Sequence, residues 1–379
     1  MQIYSVGGAV RDELLGRTVH DRDWVVVGAT PQAMLEQGFR PVGRDFPVFL
    51  HPDSHEEYAL ARTERKTGRG YKGFSFHAAP DVTLEEDLAR RDLTINAMAR
   101  AADGRLIDPY DGRADIKRRL FRHVSPAFAE DPLRILRVAR FAARLTDFNV
   151  APETLALMRA MVAADEIEAL VAERVWQELA RGLMETRPAR MFEILHECGA
   201  LARLMPELAA RLDAPDAAGS DPLRLLDHCA AEHVPLVVRW ACLLHASGLT
   251  PENARATSEQ RKAPTDCRDL SVQLTRHHAC LIAPPADPEA LLDILQHTDA
   301  LRRPERFEHL LAASACSVLR RDTAEDFPAG AQWRTAARTA AAVDAGAIAR
   351  NCNDPQSIPH NIRAARVAAL TPVANQACA

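Results

Sequence analysis

The sequence predicts an α+β chain, with an α/β first third and an all-helical remainder. Three observations predict it. Short apolar runs broken by glycine occupy the first 60 or so residues, and from Leu84 the pattern turns helical and stays mostly helical to the end. The second half is alanine-rich in a chain with only 5% aromatic residues, which favours helices packed through small side chains over a sheet-rich body.

Ile3 to Val6 reads as a strand, Gly7-Gly8 breaks it, and Ala9 to Leu15 reads as a helix. Trp24-Val25-Val26-Val27 reads as a buried strand bounded by Gly28, and Pro47 to Leu50 and Glu57 to Ala61 are further strands. Gly68, Gly70 and Gly73 among basic residues mark 65–79 as a mobile loop. The first 120 or so residues are therefore α/β, and helices follow. The stretch 213–222 is the best linker, and Pro284, Pro285 and Pro288 mark another break. The expected division of the chain is 1–125, 126–212, 213–330 and a tail over 331–379.

The 379 residues are enough for two or three domain cores. No apolar run approaches the roughly 20 residues that span a bilayer. The opening Met1 to Gly8 also lacks the basic start and long apolar stretch of a signal peptide. The expected setting is cytoplasmic, with no membrane partner. All eight cysteines lie at Cys198 or beyond, with no Cys-x-x-Cys pair, so neither a disulfide scaffold nor a zinc quartet is indicated. The net charge of −5 argues against indiscriminate binding of nucleic acid. Residues 1–145 carry 23 Lys and Arg against 21 Asp and Glu, the remainder 24 against 31. An RNA backbone would have to meet local basic patches.

The strongest chemical signal is Gly7-Gly8, a helix, and then Asp21-Arg22-Asp23 entering a strand. Residues two apart on a strand share a face, so Asp21 and Asp23 project together and repel unless a cation neutralises them. Mg²⁺ fits, because it takes oxygen ligands and keeps water and phosphate oxygens as partners. A lone Asp-x-Asp is an ordinary exposed strand start. A glycine pair ahead of a helix adds backbone N–H groups that can approach a triphosphate.

In Arg90-Arg91-Asp92-Leu93-Thr94-Ile95-Asn96, a helix would set Asp92 and Asn96 on one face. A carboxylate and an amide so placed can grip ribose hydroxyls while Arg91 faces phosphate. Read plainly, the same residues make a surface helix turn with a local ion pair. In Glu130-Asp131-Pro132-Leu133-Arg134, the plain role of Asp131 is an N-cap with Pro132 at the first helical position. Arg134, Arg137 and Arg140 recur every three residues along one side of that helix. An Asp acceptor beside an Arg donor also matches the amine-and-acceptor edge of cytosine and of adenine. Uracil and guanine reverse the order and leave both protein groups unpaired, which is costly in a desolvated site.

Five stretches in order, at 7–12, 21–24, 90–97, 108–112 and 130–141, resemble the motifs of class II tRNA nucleotidyltransferases in the DNA polymerase β-type superfamily. The similarity is closest to bacterial CCA-adding enzymes whose bodies carry an HD domain. It is strong over 1–145, fair to about 210 and weak beyond. It implies a polymerase β-like head with a five-stranded mixed sheet, then an all-α neck, body and tail that measure the tRNA acceptor end. It implies Mg²⁺-dependent, template-free addition and repair of the tRNA 3′-terminal CCA from CTP and ATP, by a monomer or homodimer. Carried over residue by residue, Asp21 and Asp23 hold the metal and are catalytic. Gly8, Arg11, Arg91, Arg137 and Arg140 contact the nucleotide, and Asp131 and Arg134 match the base-reading pair. The sequence does not determine a third carboxylate; Glu57 is the candidate.

The chain departs from these relatives at Leu243-Leu244-His245-Ala246 and at His277-His278-Ala279, where alanine stands in place of the metal-binding aspartate. His245 and His278 are then remnants in a helical core, and a hydrolytic metal site is not expected. Poly(A) polymerase shares the head, but those enzymes usually carry extra basic end segments, which this sequence does not display. Enzymes that add only C-C lack the flexible loop, whereas the basic run from Arg65 to Phe76 is intact here. A non-catalytic RNA-binding module is disfavoured by the complete Asp-x-Asp.

Overall fold

The structure, a computed structural model, describes residues 1–19, 21–42, 48–66, 74–214, 221–318 and 327–375. It comprises two compact units: residues 1–179 with 190–203, and residues 180–189 with 204–379. Among the described residues no helix is long and apolar enough to cross a membrane.

The first unit is built on a strand alternation. β1 (Gln2–Val6), α1 (Gly8–Leu14), β2 (Asp23–Val27), α2 (Pro31–Glu36), β3 (Arg40–Val42), β4 (Val48–Leu50) and β5 (Glu57–Leu60) follow in order. Val25 packs with Val6, Leu84 and Leu88 on one sheet face, and Val26 packs with Met34, Phe49 and Leu60 on the other. Successive β-strand side chains point to opposite faces, so a run such as Val25-Val26-Val27 builds two cores at once.

β6 (Thr63–Lys66) and β7 (Phe74–His77) form an antiparallel hairpin, which corrects the expectation of a loop over all of 65–79. The tip of that stretch, 67–73, lies outside the described residues, as does most of the expected linker at 213–222. Pro47 of the expected strand at 47–50 is likewise outside them.

α3 (Leu84–Ala89) opens on a capping box. The Thr83 hydroxyl accepts the Glu86 N–H, and the Glu86 carboxylate accepts the Thr83 N–H. Beyond it the chain is mostly helical, as expected, with short strands that the sequence reading did not name. β8 (Ala99–Ala101) and β9 (Leu106–Ile107) join the sheet, which has seven strands in the order β3-β4-β5-β2-β1-β8-β9 in place of the expected five. β2 and β5 pair in parallel and the other neighbours antiparallel, so the sheet is mixed as expected. α4 (Gly112–Arg118), β10 (Leu120–Phe121), α5 (Leu133–Arg144), β11 (Asn149–Val150), α6 (Pro152–Ala163), α7 (Ala172–Leu183), α8 (Pro188–Glu197) and α9 (Ala200–Leu204) follow, the chain passing from one unit to the other within α7, α8 and α9.

The second unit is helical. α10 (Pro206–Asp213) leads into α11 (Pro222–Ala231), α12 (Leu236–Ala246), α13 (Pro251–Gln260) and α14 (Thr265–Ile282). α15 (Pro288–His297), α16 (Pro304–Val318), α17 (Pro328–Ala341), α18 (Ala345–Arg350) and α19 (Ile358–Asn375) follow. The break expected at 284–288 separates α14 from α15. Its core mixes leucines with Ala241, Ala313, Ala336 and Ala340 around Trp333, the small-residue packing that the composition predicts.

Candidate active site

The Gly7-Gly8 turn joins β1 to α1. Gly7 caps the helix at φ 71°, a conformation that strains residues with a Cβ, and a Cβ there would stand 2.9 Å from Arg91 Nη1. Val6, just before the turn, pairs with Asp23, the first residue of β2. Asp23, Gly7, Gly8 and Arg91 therefore meet at one edge of a cavity of about 560 Å³, a volume usual for a small-molecule site.

Nine arginines line that cavity against three aspartates, Asp23, Asp92 and Asp131. Of the residues singled out in the sequence, Gly8, Arg11, Arg91, Asp92, Asn96, Asp131, Arg134, Arg137 and Arg140 all line it. Asp21 does not. It lies two residues before β2 and is exposed, so the two aspartates do not share a strand as expected. Arg22 between them turns to Glu13 on α1 at 2.7 Å.

The helix expected to carry Asp92 and Asn96 is only a single 3₁₀ turn over Thr94–Asn96, with Asp92 ahead of it. The two residues still meet, with Asn96 Nδ2 donating to Asp92 Oδ1 at 3.0 Å. Asn96 Oδ1 in turn accepts Arg11 Nη1 at 2.7 Å, and Asp92 Oδ2 accepts Arg137 Nε at 2.8 Å. Burial works to raise the Asp92 pKa, but the Arg137 guanidinium and the Asn96 and Arg137 hydrogen bonds outweigh it, holding the carboxyl well below its usual range. The sequence-predicted ribose grip is thus also the brace of two cavity arginines.

α5 supplies the opposite wall. Phe141 gathers the cations of Arg11, Arg140 and Arg137, whose guanidinium carbons lie 5.2, 4.8 and 5.8 Å from its ring centre. Arg140 Nε donates to the buried Glu178 at 2.6 Å. Arg144 pairs with Asp12 at 3.1 Å, and Asp12 with Arg11 at 2.9 Å.

Asp131 lies one position outside the N-cap expected of it, because α5 starts at Leu133 with Pro132 as the cap. Its Oδ1 nevertheless accepts the Leu133 N–H at 3.0 Å, the capping bond moved by one residue, and its Oδ2 accepts Arg174 Nη2 at 3.0 Å. Arg134 donates to the carbonyls of Ala127 at 2.8 Å and Arg90 at 2.6 Å. Both members of the sequence-predicted base-reading pair line the cavity while held by these protein partners.

Among the described residues no three His, Cys, Asp or Glu side chains are gathered where they would hold a metal ion. The oxygen donors at the cavity edge suit a hard cation that takes only one or two protein carboxylates and completes its shell with water and phosphate. The parallel register of β2 and β5 sets Glu57 directly opposite Asp23, the position its candidacy requires. In the second unit, the His245 and His278 rings meet with centres 4.2 Å apart, and His278 Nε2 lies 2.6 Å from Ser317 Oγ.

Sequence reasoning did not assign Asp12, Asp87, Arg144, Arg174 or Glu178. Arg144 was within reach, since it stands four residues after Arg140 on the same helical face. The partnerships of Arg174 and Glu178 span 43 and 38 residues, and no local pattern marks them.

Comparison with known proteins follows the same geometry. Residues 3–122 match the family described as poly A polymerase head domain. Residues 147–212 match one described as a probable RNA and SrmB-binding site of polymerase A. Proteins named multifunctional CCA protein are similar over nearly the whole length. That of Azoarcus sp. strain BH72 is 59% identical, covering 98% of this chain and 97% of its own. That of Dechloromonas aromatica strain RCB is 55% identical over 98% and 97%. A crystal structure of the Bacillus stearothermophilus CCA-adding enzyme in complex with CTP superposes with a TM-score of 0.68 at 27% identity, covering 98% of this chain and 88% of that one. A tRNA nucleotidyltransferase complexed with a primer tRNA and an incoming ATP analog gives 0.57 at 26% identity, covering 82% and 91%.

Proposed function

We infer that this chain, which belongs to the multifunctional CCA protein family of tRNA nucleotidyltransferases, adds and repairs the 3′-terminal C-C-A of tRNA from CTP and ATP without a template. The observation that carries the reaction type is the arginine-walled cavity opening at Asp23 and the Gly7-Gly8 turn. A triphosphate and an RNA end are both polyanions, and nine guanidiniums lining one concave site, Arg11, Arg134 and Arg140 buried, offset their charge.

The terminal hydroxyl oxygen of the tRNA attacks the α-phosphorus of the nucleotide. A new O–P bond forms, the bond to the bridging oxygen breaks, the hydroxyl proton is released and pyrophosphate leaves. Enzymes of this family use a divalent metal, which neutralises phosphate charge and lowers the pKa of the attacking hydroxyl. We assign that ion as Mg²⁺, held by Asp21 and Asp23 with Glu57 as the neighbouring carboxylate. Gly8 and Arg11 would receive the nucleotide, Arg91, Arg137 and Arg140 its phosphates, and Asp92 and Asn96 the ribose. Asp131 and Arg134 would read the base edge. In this reading 1–125 is the head, 126–212 the neck, 213–330 the body and 331–379 the tail of a cytoplasmic monomer or homodimer.

Poly(A) polymerase is the second reading, favoured by the family description of the head. Incubating tRNA that lacks its last three nucleotides with one nucleotide at a time separates the two. The CCA reading expects CTP alone to extend it by C-C and ATP alone to leave it unextended. Runs of A from ATP alone would establish the alternative.

A further inference from the structure

Asp87 on α3 is fully buried and does not line the cavity, yet it holds three arginines that do. Its Oδ1 accepts the Arg62 backbone N–H at 3.2 Å and Arg90 Nε and Nη2 at 3.1 and 2.9 Å. Its Oδ2 accepts Arg91 Nη2 at 3.3 Å. The Arg91 guanidinium is packed against Gly7, and its Nε is buried without a hydrogen-bond partner. Gly7 follows Val6, the partner of Asp23 across β1 and β2, so the Arg91 held by Asp87 shares its edge of the cavity with Asp23. Asp23 also acts on the Arg91 charge through space.

We propose that Asp87 is a positioning residue of the transfer site, holding Arg91 on the Gly7-Gly8 turn so that its guanidinium meets the triphosphate and does not collapse onto Asp23. The proposal rests on the reading that the cavity takes a nucleoside triphosphate. An arginine keeps its charge at any working pH, so one that loses a carboxylate turns to the nearest remaining one. If that is Asp23, an internal cation competes with the metal for its oxygens, and the phosphate contact is lost together with the metal site. Asp87 also anchors the base of the β6–β7 hairpin through the Arg62 N–H, so Arg62, Arg90 and Arg91 are set from one point.

The test uses Asp87→Asn, which keeps the shape and removes the charge, with Asp87→Glu as a second variant that keeps the charge. Five quantities are measured: thermal unfolding, kcat and KM for CTP on tRNA, CTP binding in EDTA, and Mn²⁺ binding without nucleotide by electron paramagnetic resonance. Asp87→Asn should weaken metal-free CTP binding, weaken Mn²⁺ binding and lower kcat/KM by about 10²-fold, as expected when a reacting group is misplaced by about 1 Å. Asp87→Glu should recover part of each. In an Arg91→Gln background, Asp87→Asn should cost nothing further, because the route through Arg91 is already gone. Wild-type CTP and Mn²⁺ binding in a folded Asp87→Asn protein would overturn the proposal, as would fully additive losses in the double variant. If Asp87→Asn does not fold, Asp87→Ser takes its place under the same criteria: wild-type CTP and Mn²⁺ binding in the folded variant, or losses that persist in full on the Arg91→Gln background, decide against the proposal. Failure of the wild-type protein to extend tRNA would count against the functional reading alone, since both binding measurements still report on Asp87.

Discussion

Asp21 and Asp23 differ in what the chain does with them. Asp23 opens β2 at the cavity edge, whereas Asp21 stands outside both strand and cavity lining. Replacing Asp23 by Ala should abolish nucleotide addition to the level seen without divalent metal, with tRNA binding retained. Asp21→Ala should do the same if the metal draws Asp21 inward. Near-normal incorporation by either variant would remove that residue from the metal site. Base choice belongs to the same scale. Asp131→Ala should lower the ratio of kcat/KM for CTP over UTP, because the acceptor that penalises the uracil carbonyl is gone, a penalty of roughly 1–3 kcal/mol for one unsatisfied group. Asp131 also accepts the Leu133 N–H, so Asp131→Asn and Asp131→Ser serve as controls that can cap but carry no carboxylate. An unchanged ratio in folded protein would leave Asp131 as a cap and an anchor for Arg174 only. Gly8, Arg11, Arg91 and the α5 arginines were legible because each sits in a short patterned stretch. Glu178 and Arg174 were not, because only the tertiary fold brings each to its partner, Arg140 and Asp131, and Asp87 was not, because its spacing to Arg90 and Arg91 is that of an ordinary surface ion pair and only the fold buries it.

At the scale of elements, the contact that seats Asn96 is α4 against the 3₁₀ turn Thr94–Asn96. Asp108 accepts the Gly112 and Arg113 N–H groups at 2.7 and 2.9 Å, which starts α4 so close that a Cβ at Gly112 would lie 2.3 Å from the Thr94 carbonyl oxygen. That neighbour is backbone and cannot swing away. Gly112→Ala should therefore destabilise the protein by about 1–3 kcal/mol or more and lower CTP incorporation, since the displaced turn carries Asn96 and through it Arg11. Thermal unfolding and incorporation at a temperature where the variant stays folded check this, and wild-type values for both would contradict it. β1, β2, β4 and β5 were legible as short apolar runs, β1 and β2 with glycine boundaries. β8 was not, because Ala99-Arg100-Ala101 has little β propensity and becomes a strand by pairing with Tyr4 to Val6 of β1. The β6–β7 hairpin was missed for a related reason: glycine-rich, basic sequence signals a loop, and only the cross-strand register makes its arms regular.

For the whole molecule, the two units raise separate expectations. The helical unit keeps His245 and His278 side by side, but Ala246 and Ala279 supply no carboxylate next to them. Purified protein should show no metal-stimulated hydrolysis of 2′,3′-cyclic phosphodiesters or phosphomonoesters. Hydrolysis driven by Ni²⁺ or Mg²⁺ and removed by His245→Ala would reveal a site there. The division into an α/β first third and a helical remainder was readable from composition and periodicity, while the unit boundaries within α7, α8 and α9 were not, since a continuous helix carries no break to mark them. The most direct measurement is end-sequencing of tRNA lacking its three terminal nucleotides after incubation with the purified protein, CTP, ATP and Mg²⁺ together. The account predicts ends that read C-C-A and stop there; runs of A, ends that halt at C-C, or unextended tRNA would contradict it.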